Sequence, residues 1–253
     1  MYSIRVPYSY QCARTYPLPA PSTIKGLCAN ALWRKERRKE GDDLPDKILK
    51  TIDNVSLGAT SRADQAIAVS SCTVNNLMWD AQLHKFKTNA LLRQFAFTPY
   101  IDCMIVLKDE KIGSRIAEAL KVSPVYLGDS ESLVCVMPDS VNSHVQIKEV
   151  NEGETVEINS LFKFDFVKNN YVNEKGVVLY MQDDPCSADA VLDRYIAPLK
   201  QQGDSYSPIE SFSFIASKPC FVIEGKRLKG IFCETQKEAP PKQKKKRTRK
   251  KKA

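Results

Sequence analysis

The densest chemistry in the chain lies between Lys237 and Ala253, where ten Lys or Arg face one acid, Glu238. Lys244, Lys245, Lys246, Arg247, Arg249, Lys250, Lys251 and Lys252 supply most of that charge. A run without large apolar side chains, whose like charges repel, does not fold alone and is expected to be disordered. It reads as a flexible polyanion clamp that neutralises phosphates through counterion release without reading sequence. A solubility tail and a targeting address are the competing readings. A second cluster, Arg34, Lys35, Arg37, Arg38 and Lys39, spans more than one helical turn and cannot all face one ligand. Most of it reads as a solvated helix end, where cations are also favoured by the macrodipole. Arg34 and Arg38, four apart on one helix face, are the candidates there for phosphate contact.

Other chemistries leave little trace. The eight cysteines include no two separated by the two to four residues usual for zinc pairs, and they read as reduced, structural thiols. No Walker loop, GxSxG elbow or HExxH occurs, so neither a metal nor a nucleotide cofactor is expected. No apolar run approaches a membrane span, and "MYSIRVPYSYQ" lacks a signal-peptide pattern, so a soluble, cytoplasmic protein with no membrane partner is expected. The net charge of +8 belongs to the tail, because residues 1–236 hold 28 bases against 29 acids.

The elements that must position these groups follow from hydropathy patterning. "YSIRVPYSY" alternates as a first strand, with Pro7 marking an edge or bulge. "PSTIKGLCANALWRKERRKE" reads as a helix with Ser22 or Thr23 as N-cap and Ile24, Leu27, Cys28, Ala31 and Leu32 on one face. Gly26 and Ala29 are expected to let it lie close to its sheet. Residues 41–92 are poor in large apolar side chains and read as an excursion, with a short helix over "LPDKILKTI" and a β-hairpin that relies on a partner for order. "LRQFAFTPYIDCMIVLKD" is a strand region, and "EKIGSRIAEALKVS" a helix with Ile112, Ile116, Ala119 and Leu120 inward. "SLVCVMP" is a further strand. This order predicts an α+β chain: a ferredoxin-like or RRM-like βαββαβ unit over 1–138 with an insertion at 41–92, a β-rich antiparallel region over 139–236, and the tail. "YLGDSES" reads as a turn, since Asp129 and Glu131 have no partner cluster for a metal.

"SYQCARTYPLPAPSTIKGLCANAL" resembles the N-terminal signature of the Cas five family of the RAMP superfamily. That signature is a first strand, a Pro-rich turn, Pro then Ser/Thr, and a helix opened by Gly and small residues, here Pro19, Pro21, Ser22, Thr23 and Gly26. "RQFAFTPYIDCMIVLKDEKIGSRIAEALKVSPVYLGDSESLV" is similar to a second part of the family, and together they cover residues 1 to about 136. The resemblance implies a subunit of a CRISPR Cascade complex that caps the 5′ handle of the guide RNA (crRNA) without catalysis. The excursion would be the thumb pushed between handle and spacer, touching the neighbouring backbone and large subunits. Small size and the β-rich second half are most like type I-A.

The same resemblance places Arg14, Lys25, Ser22, Thr23 and Gly26 beside the handle, where free N–H groups at the start of the helix could receive a phosphate. An exposed cation without a partner is the alternative for Arg14 and Lys25. Single-stranded RNA calls for cations on phosphates and flat faces under bases. In the excursion these would be Arg62, Lys85, Lys87 and Arg93, with Trp79 and Phe86 as stacking or wedge residues, or as packing against a partner subunit. Some family members cut the guide precursor with tyrosine, lysine and histidine, which a metal-independent ribonuclease uses as base and acid. His84, Lys85 and Tyr16 are the only candidates here; His144 reads as structural. The basic tail would hold target DNA near the protospacer-adjacent end, or act as a generic nucleic-acid binder on its own.

Overall fold

The computed structural model describes residues 1–7, 12–36, 45–80, 82, 84–128, 132–141, 145–186 and 191–233. Arg38, Asp129, Glu131, His144 and the basic tail therefore lie outside the described residues, as do the side chains of Lys87 and a few residues near it.

The first half runs β1 (Cys12–Ala13), α1 (Pro21–Glu36), α2 (Pro45–Val55), β2 (Ser56–Arg62), β3 (Ile67–Asp80), β4 (Lys85–Phe97), β5 (Asp102–Leu107), α3 (Glu110–Val122), β6 (Val125–Tyr126) and β7 (Leu133–Val134). The second half continues with β8 (Gln146–Val150), β9 (Thr155–Ile158), β10 (Phe162–Lys163), β11 (Val167–Val172), β12 (Val177–Gln182) and β13 (Leu192–Ala197). It ends with β14 (Leu199–Gln202), β15 (Ser205–Pro208), β16 (Phe212–Ala216), β17 (Cys220–Glu224) and β18 (Lys229–Phe232). The chain is α+β, with few helices and many strands.

Helix α1 starts at Pro21, so its N-cap is Ala20, two or three residues before the expected Ser22 or Thr23 cap. Pro is suited to the first helical position because its fixed φ is already helical and it lacks an N–H that would go unpaired there. The Ala20 carbonyl takes the first helical bond, from the Ile24 N–H at 3.1 Å. Ile24, Cys28, Ala31 and Leu32 are buried as the periodicity requires, and Leu27 packs at the margin. They meet Ile48 and Ile52 of α2, Ile116 and Ala119 of α3, and Ala59 of β2 in one core. Gly26 has no role in close packing, since a Cβ there would meet nothing within 4 Å. Lys35 and Glu36 at the end of α1 pair with Glu118 and Arg115 of α3, which ties the two helices side by side. Asp109 caps α3 by accepting from the N–H groups of Lys111 at 2.9 Å and Ile112 at 3.2 Å.

Among the described residues the expected first strand shows two isolated bridges, Tyr2 with Ala96 and Arg5 with Thr15. Among the described residues β2 pairs only with β5 and β6 only with β7, so no single four-stranded sheet of a βαββαβ unit forms. Residues 45–62 of the expected excursion pack into the body through α2 and β2. What leaves the body is the hairpin β3–β4, whose 14- and 13-residue strands pair from Ala68–Phe97 to Asp80–Lys85. At about 3.4 Å per residue this ribbon is roughly 45 Å long.

The base of the ribbon belongs to a five-stranded sheet, β1–β4–β3–β15–β14. β1 runs beside Leu92 and Arg93, and β15 beside Ile67 and Ala68. One face of this sheet enters a core of Ile67, Ala96, Leu199, Tyr2, Tyr16 and Leu18. The second half supplies three three-stranded sheets around Phe162, Phe212 and Phe214. The turn expected at "EGK" closes β17–β18, where Glu224 faces Lys229. The β14–β15 hairpin was not expected, because Lys200, Gln201, Gln202, Ser205 and Ser207 carry no apolar alternation.

Candidate nucleic-acid interface

The far end of the ribbon is built by cross-strand pairing. Trp79 on β3 stands directly opposite Phe86 on β4, with ring centroids 5.0 Å apart in an edge-to-face arrangement. Such pairs hold each other in place without a core behind them. Both stay open to solvent, at 55% and 62% exposure. His84, in the turn between the strands, has φ of 47°, the left-handed region that His enters more readily than most residues. Lys85 follows it and is exposed, opposite Asp80 in register. One cation and two aromatic faces thus project at the tip, a combination that suits phosphates and unstacked bases. Lys87 lies opposite Met78 in the same ladder.

The other expected contacts scatter. Arg14 is exposed beside β1. Ser22 and Thr23 are half-buried in the first turn of α1, with Gly26 one turn on. Arg34 donates through Nε to Asn30 Oδ1 at 2.8 Å, and its guanidinium lies 5.1 Å from the centre of the Tyr126 ring. Arg62 is at the root of the ribbon rather than along it, donating to the Arg227 carbonyl at 2.7 Å and pairing with Asp64 at 3.1 Å. Arg93 donates to Ser3 Oγ at 3.4 Å and lies over the Phe95 ring.

Lys25 is the clearest correction. It is 4% exposed, and neither a phosphate contact nor a solvated cation describes it. Its ammonium pairs at 2.9 Å with both Asp53 of α2 and Asp183, and donates to the Asp183 carbonyl at 3.0 Å. Lys163 pairs with the other oxygen of Asp183 at 2.9 Å and with Asp193 at 2.7 Å. Burial works to raise the Asp183 carboxyl, but the Lys25 and Lys163 ammoniums outweigh it and hold the group below its ordinary range. The Tyr195 phenol donates to the same carboxylate, and burial pushes its pKa well up. This network joins α1 and α2 to the strands of the second half. Its partners lie 28 and 158 residues from Lys25, so no local pattern marks it.

The candidate ribonuclease groups do not meet. Tyr16 is buried, its phenol donates to the Tyr180 carbonyl, and burial lifts its pKa to about 12. It sits at the base of the ribbon, where the neighbouring Thr15 N–H reaches Gln94 Oε1 at 3.4 Å. Nine strand residues separate Gln94 from Lys85, which puts His84 and Lys85 roughly 30 Å away. Among the described residues no group of His, Cys, Asp or Glu is placed to hold a metal. The described cysteines are free thiols, and burial lifts the Cys28 thiol to about 12. No helix among them is long and apolar enough to cross a membrane.

No curated protein matches the chain. Among solved structures, a CRISPR protein from Archaeoglobus fulgidus superposes with a TM-score of 0.54 over 92% of this chain and 94% of its own, at 13% identity. At that identity the likeness speaks for the fold. The profile described as CRISPR-associated protein (Cas_Cas5) matches residues 1–156, which hold α1 to α3, the whole ribbon and its aromatic tip. On that match, over more than half its length, the chain belongs to the CRISPR-associated Cas5 family.

Proposed function

We propose that the chain is a non-catalytic RNA-binding subunit of a CRISPR effector complex, in which it caps the 5′ handle of the guide RNA. The observation that carries this reading is the ribbon tip: exposed Trp79 and Phe86, locked edge to face and flanked by Lys85, roughly 20 Å of strand beyond Leu92, where β4 still pairs with β1. A rigid apolar wedge at the end of a two-stranded lever suits parting a handle from the nucleotides that follow it. In the same reading the adjoining backbone and large subunits meet the ribbon, and the basic tail holds target duplex near the protospacer-adjacent end. Type I-A remains the subtype that size and the β-rich second half favour.

The test is binding of a guide with an intact 5′ handle, against a scrambled handle, by fluorescence anisotropy. Trp79→Ala is expected to weaken handle binding by about 1–3 kcal/mol, the range for one aromatic–base stack, with little change in melting temperature because the side chain is exposed. Equal affinity for both handles would sink the reading. The distance between Tyr16 and the His84–Lys85 pair supports a non-catalytic role. Specific cleavage of a guide precursor that His84→Ala abolishes would overturn it.

A further inference from the structure

We infer that the outer face of the five-stranded sheet is a second, sequence-tolerant platform for single-stranded nucleic acid, centred on Phe95 and Phe97. The inference rests on the nucleic-acid reading above, but it concerns a different surface from the ribbon tip.

Residues opposed across a ladder share a face. Ile67, Ala96 and Leu199 are wholly buried, which identifies the core-facing side. The opposite side is then set by register: Phe97 opposite Ala68, Phe95 opposite Ser70, Arg93 opposite Cys72, and Ser205 between Ala68 and Gln202. Ala68, Ser70, Cys72 and Gln202 are exposed, and Phe97 is 40% exposed. Phe95, at the middle of this face, is half-buried.

Its chemistry fits one occupant. Small side chains flank two phenyl rings on alternate residues of β4, about 7 Å apart, twice the 3.4 Å rise of a nucleic-acid strand. A base can lie on each ring or slip between them. The Arg93 guanidinium lies 5.3 Å from the centre of the Phe95 ring, which places a positive charge beside the platform. Lys200 on β14, opposite Ser207, puts an exposed cation on the other flank. The register assigns no carboxylate to this face across β14, β15, the base of β3 and β4 from Leu91 to Phe97. A partner protein would be expected to meet acids as well as bases, whereas a polyanion with flat faces is served by cations, rings and small hydroxyls. By the same register Trp79 and Phe86 lie on the opposite side of the ladder from Phe95 and Phe97, so the platform and the tip are separate surfaces.

The experiment measures binding of a labelled oligouridine of about twelve nucleotides to the full chain across a salt series. Phe97→Ala is expected to weaken it about 5- to 100-fold, Phe97→Tyr to preserve it, and Ser70→Glu to weaken it by charge alone at an exposed position. Lys200→Ala is expected to reduce the slope of log affinity against log salt by about 0.7, one phosphate on a single strand. Ultraviolet cross-links should map to the β4 peptide holding Phe95 and Phe97. Melting temperatures of the variants control for folding. Binding that Trp79→Ala removes but Phe97→Ala and Ser70→Glu leave intact overturns the platform and keeps the proposed function. Failure of the chain to bind any single strand overturns both. Unchanged RNA affinity with blocked entry into the effector complex would assign the face to a protein neighbour and also overturn the inference.

Discussion

Replacing Lys25 by Met should damage folding and spare RNA binding. The ammonium is almost fully buried and shared between two carboxylates at 2.9 Å, one on Asp53, whose side chain is 7% exposed, and one on Asp183, at 26%. Removing one partner of such a group leaves buried negative charge undercompensated, a loss of about 3–5 kcal/mol. Asp183 keeps Lys163, so the lower half of that range is expected. In a chain of this size each kcal/mol moves the melting temperature by about 2–4 °C, so the shift should be roughly 6–16 °C downward. Circular-dichroism melting at neutral pH measures it directly. The double replacement Lys25→Met with Asp53→Leu should recover part of the loss, because it removes charge from both sides of the pair. Handle binding by the folded fraction, measured well below the lowered midpoint, should match the parent. A melting temperature within a degree or two of the parent, together with weakened handle binding, would refute the reasoning and restore Lys25 to the interface.

Four further outcomes can be tested. Because the Asp183 carboxyl is held below its ordinary value of 3.8, the unfolded state binds its proton first, so its stabilisation is full above about pH 4 and fades as pH falls through the folded value. Asp183→Asn should therefore lower stability at neutral pH and shrink the loss seen on acidification, as urea titrations at several pH values would report. Gly26→Ala, with open space at the Cβ position and a helical backbone, should stabilise the chain by about 0.5–1 kcal/mol. Gly128→Ala should cost more than about 2 kcal/mol, since φ is +96° and the new Cβ would fall 2.2 Å from the Ser3 carbonyl oxygen. Deleting residues 237–253 should flatten the salt dependence of non-specific duplex binding while handle binding persists, by anisotropy over a salt series.

Local features were legible where they rest on nearest neighbours. The inward face of α3, the α2 segment and the β17–β18 turn follow from periodicity and turn chemistry that a short window contains. The start of α1 lies two or three residues earlier than a Ser22 or Thr23 cap predicts, because Pro21 itself serves as the first helical position, a role that Ser22 and Thr23 obscure. The buried network was illegible for a different reason: Lys25 in a sequence window looks like any surface lysine, and only the packing of α1 against α2 and the second half puts Asp53 and Asp183 around it. The β14–β15 hairpin was hidden because its outward side chains are polar and its one deep anchor, Leu199, has no alternating companions. The aromatic pair at the ribbon tip was visible as residue types. Its cross-strand registration was not, since the turn that sets it holds His84 in a left-handed conformation that few sequences announce.

The attachment of the ribbon has a mechanical consequence. From Ile67 to Trp79 is roughly 40 Å of strand, so a tilt of about 10° at the root swings the tip by about 7 Å, two nucleotides' worth of rise. The stays that limit this swing are short: Ser205 and Tyr206 of β15 on one flank, Cys12 and Ala13 of β1 on the other, and the Arg62–Asp64–Arg227 contacts beneath. Two of those three stays draw on residues beyond the stretch shared with the family. On the proposed reading the second half is the rigging that aims the lever, and a substitution at Tyr206, which opposes core-facing Ile67, or at Arg227 should shift the position at which the wedge enters the RNA without weakening the grip.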